Sequence, residues 1–422
     1  MPAARRLIIV NRADPVICGH SVEGRNLAEV ALTRGFDDVR IVTWPLAKLE
    51  TSGLPLKPLN TVLPYSPGIH VERPEPVGDY KVPDGRYLAG ITGRLIELLS
   101  DGTPTIVISL YLSPHTLAVD DAVRVARTMG GPVRVTTIAE AVGSDITNIV
   151  RTSLDQDAFG AAAQILSTYL RQDLPVAVSE YTRDIIVDAA AELDARHSTR
   201  FAAQCLERIG ISYPAIDTSA YLNLDPQETQ RVLTHRGLQR NRYVFFLSRL
   251  HPAKAVDDLI AGFERAGLDD DVPLVIAGRG PDATRLHGRA AASPLASRIR
   301  FLDDVGDAEK PHLMEACGVY ALPSKPRPDF VETFGIALVE KMLAGGGPVI
   351  TTSTGGIGEA VGGHALIVPV GDPNAIAVAL QQASALTPAQ VAERAAAARR
   401  YAMRFDRGNV FDRMIEAASR VV

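Results

Sequence analysis

Cysteine is nearly absent, with Cys18, Cys205 and Cys317 widely separated in 422 residues. An odd number at such spacing gives neither a disulfide framework nor a zinc-binding pattern, and a reducing cytoplasm is the expected setting. Long hydrophobic runs are missing too. None approaches the ~18–20 apolar residues that cross a bilayer, so no transmembrane helix is expected, while peripheral membrane contact through an amphipathic patch stays open. The opening MPAARRLIIVNRADP has two arginines ahead of an apolar run, but that run is only Leu7 to Val10 and reads as a first strand. Charge of one sign is also lacking: 44 basic and 49 acidic residues leave a net −5, scattered along the chain. That balance has none of the basic footprint of a nucleic-acid binder, so nucleic acid is not an expected partner. No Gly-x-Gly-x-x-Gly follows the first strand, which counts against an NAD-linked enzyme.

What remains is 46% hydrophobic and 22% charged, with alanine-rich helical patterns alternating with Val/Ile-rich runs. This is the composition of an α/β protein, and the length favours two or three domains. Apolar runs at 7–10, 39–43, 105–110, 133–137 and 175–178 alternate with helical spacing at 22–35, 116–129, 155–170 and 182–194, the pattern of a parallel sheet wrapped on both sides. Between Trp44 and Tyr87 the text turns rich in Pro and Gly, which reads as an excursion over the sheet edge or acceptor side. A boundary falls in ISYPAIDTSAYLNLDP, 211–226. A second series then runs through strands at 243–248, 273–278, 298–303, 319–323, 348–352 and 365–370, with helices at 255–266, 282–292, 308–316, 335–344, near 358 and at 373–384. The expected architecture is two Rossmann-like doubly wound parallel-sheet domains, 1–217 completed by a C-terminal helix at 403–422, and 218–402. Such sheets bind ligands at the carboxyl ends of their strands, so a cleft between the two sets of ends is the expected site.

Those ends in the second series carry the chemistry. Lysine is scarce, with seven in the chain, yet Lys254 stands beside Arg249 just after the strand 243–248. Two cations near a helix start suit a diphosphate, or are a solvated surface pair. The turn VIAGRGP offers Gly278, Arg279 and Gly280, which permit close backbone approach to a planar ring, or make an ordinary turn. Glu332 and Glu340 flank Phe334-Gly335. With a helix starting near Thr333 or Phe334, the N–H groups around Gly335 and Ile336 are open to an anion. At ~1.5 Å per residue, the eight positions between the glutamates separate their backbones by up to roughly 12 Å. Paired glycosidase carboxylates stand ~5–9.5 Å apart, so a two-carboxylate hydrolase is disfavoured. A carboxylate accepts hydrogen bonds from both hydroxyls of a ribose, which suits Glu340. The plain alternative is a pair of helix-surface glutamates, Glu332 favoured by the helix dipole and Glu340 by its neighbour Lys341.

Arg249, Lys254, the Gly278 turn, PS at 323–324, ETFGIALVE at 332–340, GGGPVITT at 345–352 and TGGIGEAV at 354–361 occur in that order over ~130 residues. This order resembles the nucleotide-binding half of the retaining glycosyltransferases of family 4, which have the GT-B architecture. The segments NLAEVALTRGFDDVRIVT, 26–43, and FDRGNVFDRMIEA, 405–417, extend the likeness loosely to the first domain and the closing helix. The resemblance implies that Arg249 and Lys254 hold the donor diphosphate, Glu340 the ribose and Glu332 the transferred sugar, with amides near Gly335 and Ile336 completing the phosphate site. It implies no cofactor and no metal. Two departures stand out. Where the family has a Gly-Gly loop, this chain has Cys18-Gly19-His20, so only Gly19 matches. Where it often has a histidine after the strand VTT, this chain has Ile138; His20, His115 or Glu140 are the candidates to fill that space on the acceptor side.

The implied reaction moves a sugar from a nucleoside diphosphate sugar, a UDP-sugar ahead of a GDP-sugar, to an acceptor hydroxyl with retention at the anomeric carbon. A nucleotide-sugar epimerase of the same fold and a non-catalytic nucleotide-sugar-binding protein are the alternatives.

Overall fold

Seven short apolar runs pair in parallel to make the first sheet: β1 (Arg6–Val10), β2 (Asp38–Val42), β3 (Ile69–Glu72), β4 (Thr105–Leu110), β5 (Val135–Ala141), β6 (Leu174–Ala177) and β7 (Gly210–Ile211). Their order is β3-β2-β1-β4-β5-β6-β7. Six more, β8 (Val244–Leu247), β9 (Leu274–Ala277), β10 (Ile299–Leu302), β11 (Val319–Leu322), β12 (Val349–Thr351) and β13 (Leu366–Ile367), form a second parallel sheet in the order β10-β9-β8-β11-β12-β13. The central strands β1 and β9 are buried at every residue, as continuous apolar runs between two helical layers require. In each sheet the order reverses beside the first strand, between β1 and β4 and between β8 and β11, and ligands of doubly wound sheets bind at such switch points. The computed structural model describes residues 5–421 apart from 80, 82, 83 and 329. The KPRPD insert just ahead of Glu332, expected to be where donor selectivity is set, ends at Asp329, which lies outside the described residues.

The chain divides into two compact units, Met1–Ile216 with Arg407–Val422, and Asp217–Asp406. Asp406 belongs with the second unit because its carboxylate accepts the Thr218 hydroxyl at 2.6 Å. Phe405 also packs edge-on to Phe334 at 5.0 Å. The returning helix Arg407–Val421 lays Val410, Phe411, Met414 and Ala418 into the core of the first unit, among Leu7, Ile9, Leu27, Ile41 and Ile138.

Three expectations change. The strand expected at 133–137 runs on to Ala141, so Ile138 is a buried core residue in mid-strand, paired in register with Ile108, and the strand end is Glu140-Ala141. A fully buried glutamate broke the apolar signal there. The stretch 44–87 is not all excursion. It holds the edge strand β3, hydrogen-bonded to β2, and the start of the helix Gly85–Leu99. The helix Pro226–Arg236 went unread, although Asp225 accepts the Gln227 N–H at 2.9 Å ahead of a proline-led first turn, a recognisable start signal.

The returning helix should matter to the first unit's stability. Phe411→Ala is expected to cost about 3–5 kcal/mol, read from urea unfolding of the full chain by emission of Trp44, the sole tryptophan. A loss below about 1 kcal/mol would remove that helix from the core.

Candidate functional site

In the second unit, the chain leaves β8 through Ser248–Leu250 and makes a tight turn at Pro252–Lys254. It enters the helix Val256–Arg265 from Ala255, which sits at φ 51°. Lys254 is buried and its ammonium is ion-paired with the Glu332 carboxylate. The ring of Phe330 stands 5.1 Å from the Lys254 ammonium and 5.6 Å from the Arg249 guanidinium carbon. The two cations therefore converge, as expected, and Glu332 meets them from the next loop. Among the described residues, Arg249 has no carboxylate partner.

The glycine turn has a different use from the one expected. A Cβ at Gly278, where φ is 137°, would fall 2.0 Å from the Ser248 carbonyl oxygen, and one at Gly280 would fall 2.2 Å from that of Leu250. The missing side chains thus let the loop bearing Arg249 pack directly against this turn. Arg279 bridges the two loops: its carbonyl accepts the Leu250 N–H at 2.8 Å. Its exposed side chain donates to the Asp303 carbonyl.

Glu332 is fixed by backbone. The Gly356 N–H donates to the Glu332 carbonyl at 3.0 Å. Any Cβ at Gly355 or Gly356 would come within 2.0 Å of the Glu332 or Thr333 carbonyl oxygen. The helix begins at Ile336, later than expected, with Gly335 as its left-handed cap at φ 106°. In its first turn the Leu338 N–H is taken by the Gly335 carbonyl at 2.9 Å, and the N–H groups of Gly335 and Ile336 head the helix just after Glu332, the partner of Lys254.

Glu340, two turns on, is buried, and its partner is Lys310 at 2.7 Å rather than Lys341. Burial works against the Lys310 charge, but Glu340 outweighs it and lifts the ammonium above its ordinary pKa. The Tyr221 phenol adjoins the pair, pushed well above the usual tyrosine range by burial and then by the charge of Glu340. Lys341 turns the other way. Its ammonium donates to the carbonyls of Met314, at 2.8 Å, and Gly345, and burial lowers its pKa. Lys310, Tyr221 and Phe330 were not legible as site residues, since each joins its partner only through the fold.

The first unit's candidates fall into two groups. Gly19 opens the helix Gly19–Leu32. His20 and His115 flank Tyr111, at 5.8 and 6.5 Å between ring centroids. Burial, then the charges of Arg12 and His115, lowers His20 to about 3. Burial lowers His115 to about 4 against its hydrogen bond to Leu110. His115 has both nitrogens in use: Nδ1 meets the Leu110 carbonyl at 2.6 Å and Nε2 accepts from Trp44 at 3.0 Å. It is a neutral structural imidazole in this arrangement. Glu140 stands apart, fully buried, with no hydrogen-bond partner for either oxygen. Burial raises its pKa well above the ordinary value, and the adjoining Glu23 and Asp145 add to the rise. Glu23, unread in the sequence, accepts the Ala215 N–H at 3.1 Å and is raised to about 7, chiefly by burial.

This geometry belongs to a known class. The chain has the GT-B architecture, two Rossmann-like parallel-sheet units. The solved structure of Anabaena Alr3699/HepE in complex with UDP-glucose matches it with a TM-score of 0.70 at 19% identity, over 98% of this chain and 99% of that one. Residues 235–402, which make up most of the second unit, match the family described as Glycosyl transferases group 1. The phosphatidyl-myo-inositol mannosyltransferase of Mycobacterium leprae is 41% identical over 141 residues, 31% of this chain and 34% of that protein. The GDP-mannose-dependent alpha-(1-6)-phosphatidylinositol monomannoside mannosyltransferase of Mycolicibacterium smegmatis is 30% identical over 171 residues, 40% of this chain and 44% of that protein. Both alignments thus span less than half of the relative. Among the described residues, no helix is long and apolar enough to cross a membrane.

The buried acid pair makes a pH prediction. Glu23 has its folded pKa raised from 4.5 to about 7, so the stability contributed by its protonated form is complete below 4.5 and is lost as pH rises through about 7. Trp44-monitored urea unfolding should show stability falling from about pH 5 to about pH 7.5. Glu140→Gln should make that decline shallower by about 1.4 kcal/mol per pH unit, the weight of one proton. An unchanged slope would contradict the pairing.

Proposed function

We propose that this protein is a retaining glycosyltransferase that moves a sugar from a nucleoside diphosphate sugar to a hydroxyl of a small-molecule or glycan acceptor. The observation that carries the reading is the convergence of Arg249, Lys254 and Glu332 at the carboxyl end of one sheet, ahead of a glycine-capped helix that bears Glu340. The diphosphate sits against Arg249, Lys254 and the N–H groups of Gly335 and Ile336, where charge and oriented donors favour an anion. Glu340, held in place by Lys310 at 2.7 Å and adjoined by the Tyr221 phenol, offers its carboxylate to the ribose hydroxyls. Glu332 lies at the sugar end, where its pairing with Lys254 couples sugar position to phosphate position.

As the bond from the anomeric carbon to the phosphate oxygen breaks, negative charge grows on the leaving diphosphate, and the fixed cations stabilise it more than they stabilise the ground state. The departing phosphate takes the proton of the incoming acceptor hydroxyl, which attacks from the same face, so configuration is retained. This reading calls on no metal and no cofactor. Two donors stand foremost. The structural neighbour was solved with UDP-glucose, and one relative is named for its dependence on GDP-mannose. Of the acceptor-side candidates in the first unit, Gly19, His20 and Glu140 remain, since both His115 nitrogens are in use; the scarce, widely spaced cysteines suit a cytoplasmic setting.

A thermal-shift panel of nucleotide sugars should single out one donor, since a ligand at 100 times its dissociation constant adds about 2.7 kcal/mol to the folded state. Glu340→Ala should then weaken nucleotide binding about 10- to 100-fold by calorimetry, whereas Glu332→Ala should reduce transfer far more than affinity for the free nucleotide. Equal nucleotide affinity in wild type and Glu340→Ala would sink the ribose assignment.

A further inference from the structure

Lys254 and Arg249 are held in different ways, and the difference points to a residue that the motif pattern does not include. Lys254 has a carboxylate, Glu332. Among the described residues, the contact recorded for the Arg249 guanidinium is an aromatic face, Phe330, with 5.6 Å from guanidinium carbon to ring centroid. The same ring stands 5.1 Å from the Lys254 ammonium and 5.4 Å from the His251 ring. Phe330 is thus a common wall for three side chains of the turn that follows β8.

That wall is fastened independently of the cations. Arg327 and Phe330 exchange backbone hydrogen bonds, with their N–H to carbonyl distances at 2.9 and 3.2 Å, which closes a small hairpin. At the hairpin's base, the Lys325 N–H donates to the Ala253 carbonyl at 2.8 Å, and the Lys325 ammonium meets Asp258 at 2.9 Å. The hairpin is therefore bolted to the very turn that carries Lys254. Lys325 and Phe330 thus brace that turn from two sides.

The choice of an aromatic partner has a physical consequence. Two like charges brought together repel, and each needs compensation before any ligand arrives. A carboxylate beside Arg249 would compensate it by occupying its N–H donors, and an incoming anion would have to displace it. The negative face of a ring attracts the guanidinium more weakly and leaves its fork of donors unused. Resting on the donor reading above, we propose that Phe330 is a positioning residue: it holds Arg249 and Lys254 converged while leaving the Arg249 donors to take both oxygens of a phosphate.

The test is calorimetric titration of the full chain with UDP and with GDP, in wild type, Phe330→Leu, Phe330→Tyr, Arg249→Ala and the Phe330→Leu/Arg249→Ala double variant. Leucine keeps an apolar brace and removes the ring face. Phe330→Leu should weaken the nucleotide that wild type binds by about five- to tenfold, a loss of the size of a desolvated cation–aromatic contact. Phe330→Tyr should stay within about twofold of wild type. In the double variant the loss should fall well short of the product of the two single losses, because both changes act through the same guanidinium. A merely structural hairpin residue would give multiplying losses, and that result overturns the proposal, as does wild-type affinity in Phe330→Leu. Failure of wild type to bind either nucleotide overturns the donor reading itself, and the proposal with it.

Discussion

The ion pair between Lys254 and Glu332 joins loops that are 78 residues apart in sequence, and the arrangement of the second unit's carboxyl edge depends on it. Lys254 is buried and Glu332 half-buried, so removing Glu332 would leave a buried ammonium without its compensating charge, which is more damaging than the pair is stabilising. Because neither side chain has slack, the backbones that carry them must be placed first. That is the service of the glycines. Gly278 and Gly280 admit the Ser248–Leu250 backbone on one side, and Gly355 and Gly356 admit the Glu332–Thr333 backbone on the other. A methyl group at any of the four would push the loop bearing one ion away from the loop bearing the other.

The two units treat buried acid oppositely. In the second, each motif glutamate has its own lysine, Glu332 with Lys254 and Glu340 with Lys310, which fixes the position of both carboxylates. In the first, Glu23 and Glu140 adjoin with no cation between them, and burial favours their neutral forms. A neutral carboxyl donates one hydrogen bond where a carboxylate only accepts.

Much of this was open to a reader of the sequence. The second series of strands is written as short apolar runs closed by glycine or proline, and each lies within a residue or two of its expected bounds except β13, which is shorter. The positions of Arg249, Lys254, Glu332 and Glu340 at strand ends and on one helix followed from that reading. What stayed hidden shares a cause. Lys310, Tyr221, Phe330 and Glu23 gain their meaning from partners brought close by the fold, and Lys341 was credited with Glu340 only because it is adjacent in sequence, though neighbours on a helix point about 100° apart. β3 was concealed because an edge strand with mixed polarity carries no continuous apolar signal, and β5 because its fully buried Glu140 reads as a strand end.

The central claim is that this carboxyl edge holds the diphosphate of a nucleotide, and phosphorus NMR looks at that diphosphate directly. Titrating the full chain into UDP and into GDP should shift and broaden both phosphorus resonances of one nucleotide, and Arg249→Ala should reduce the phosphorus shifts while the base and ribose protons still respond. Phosphorus resonances that stay unmoved in both titrations with the wild-type chain would contradict the account.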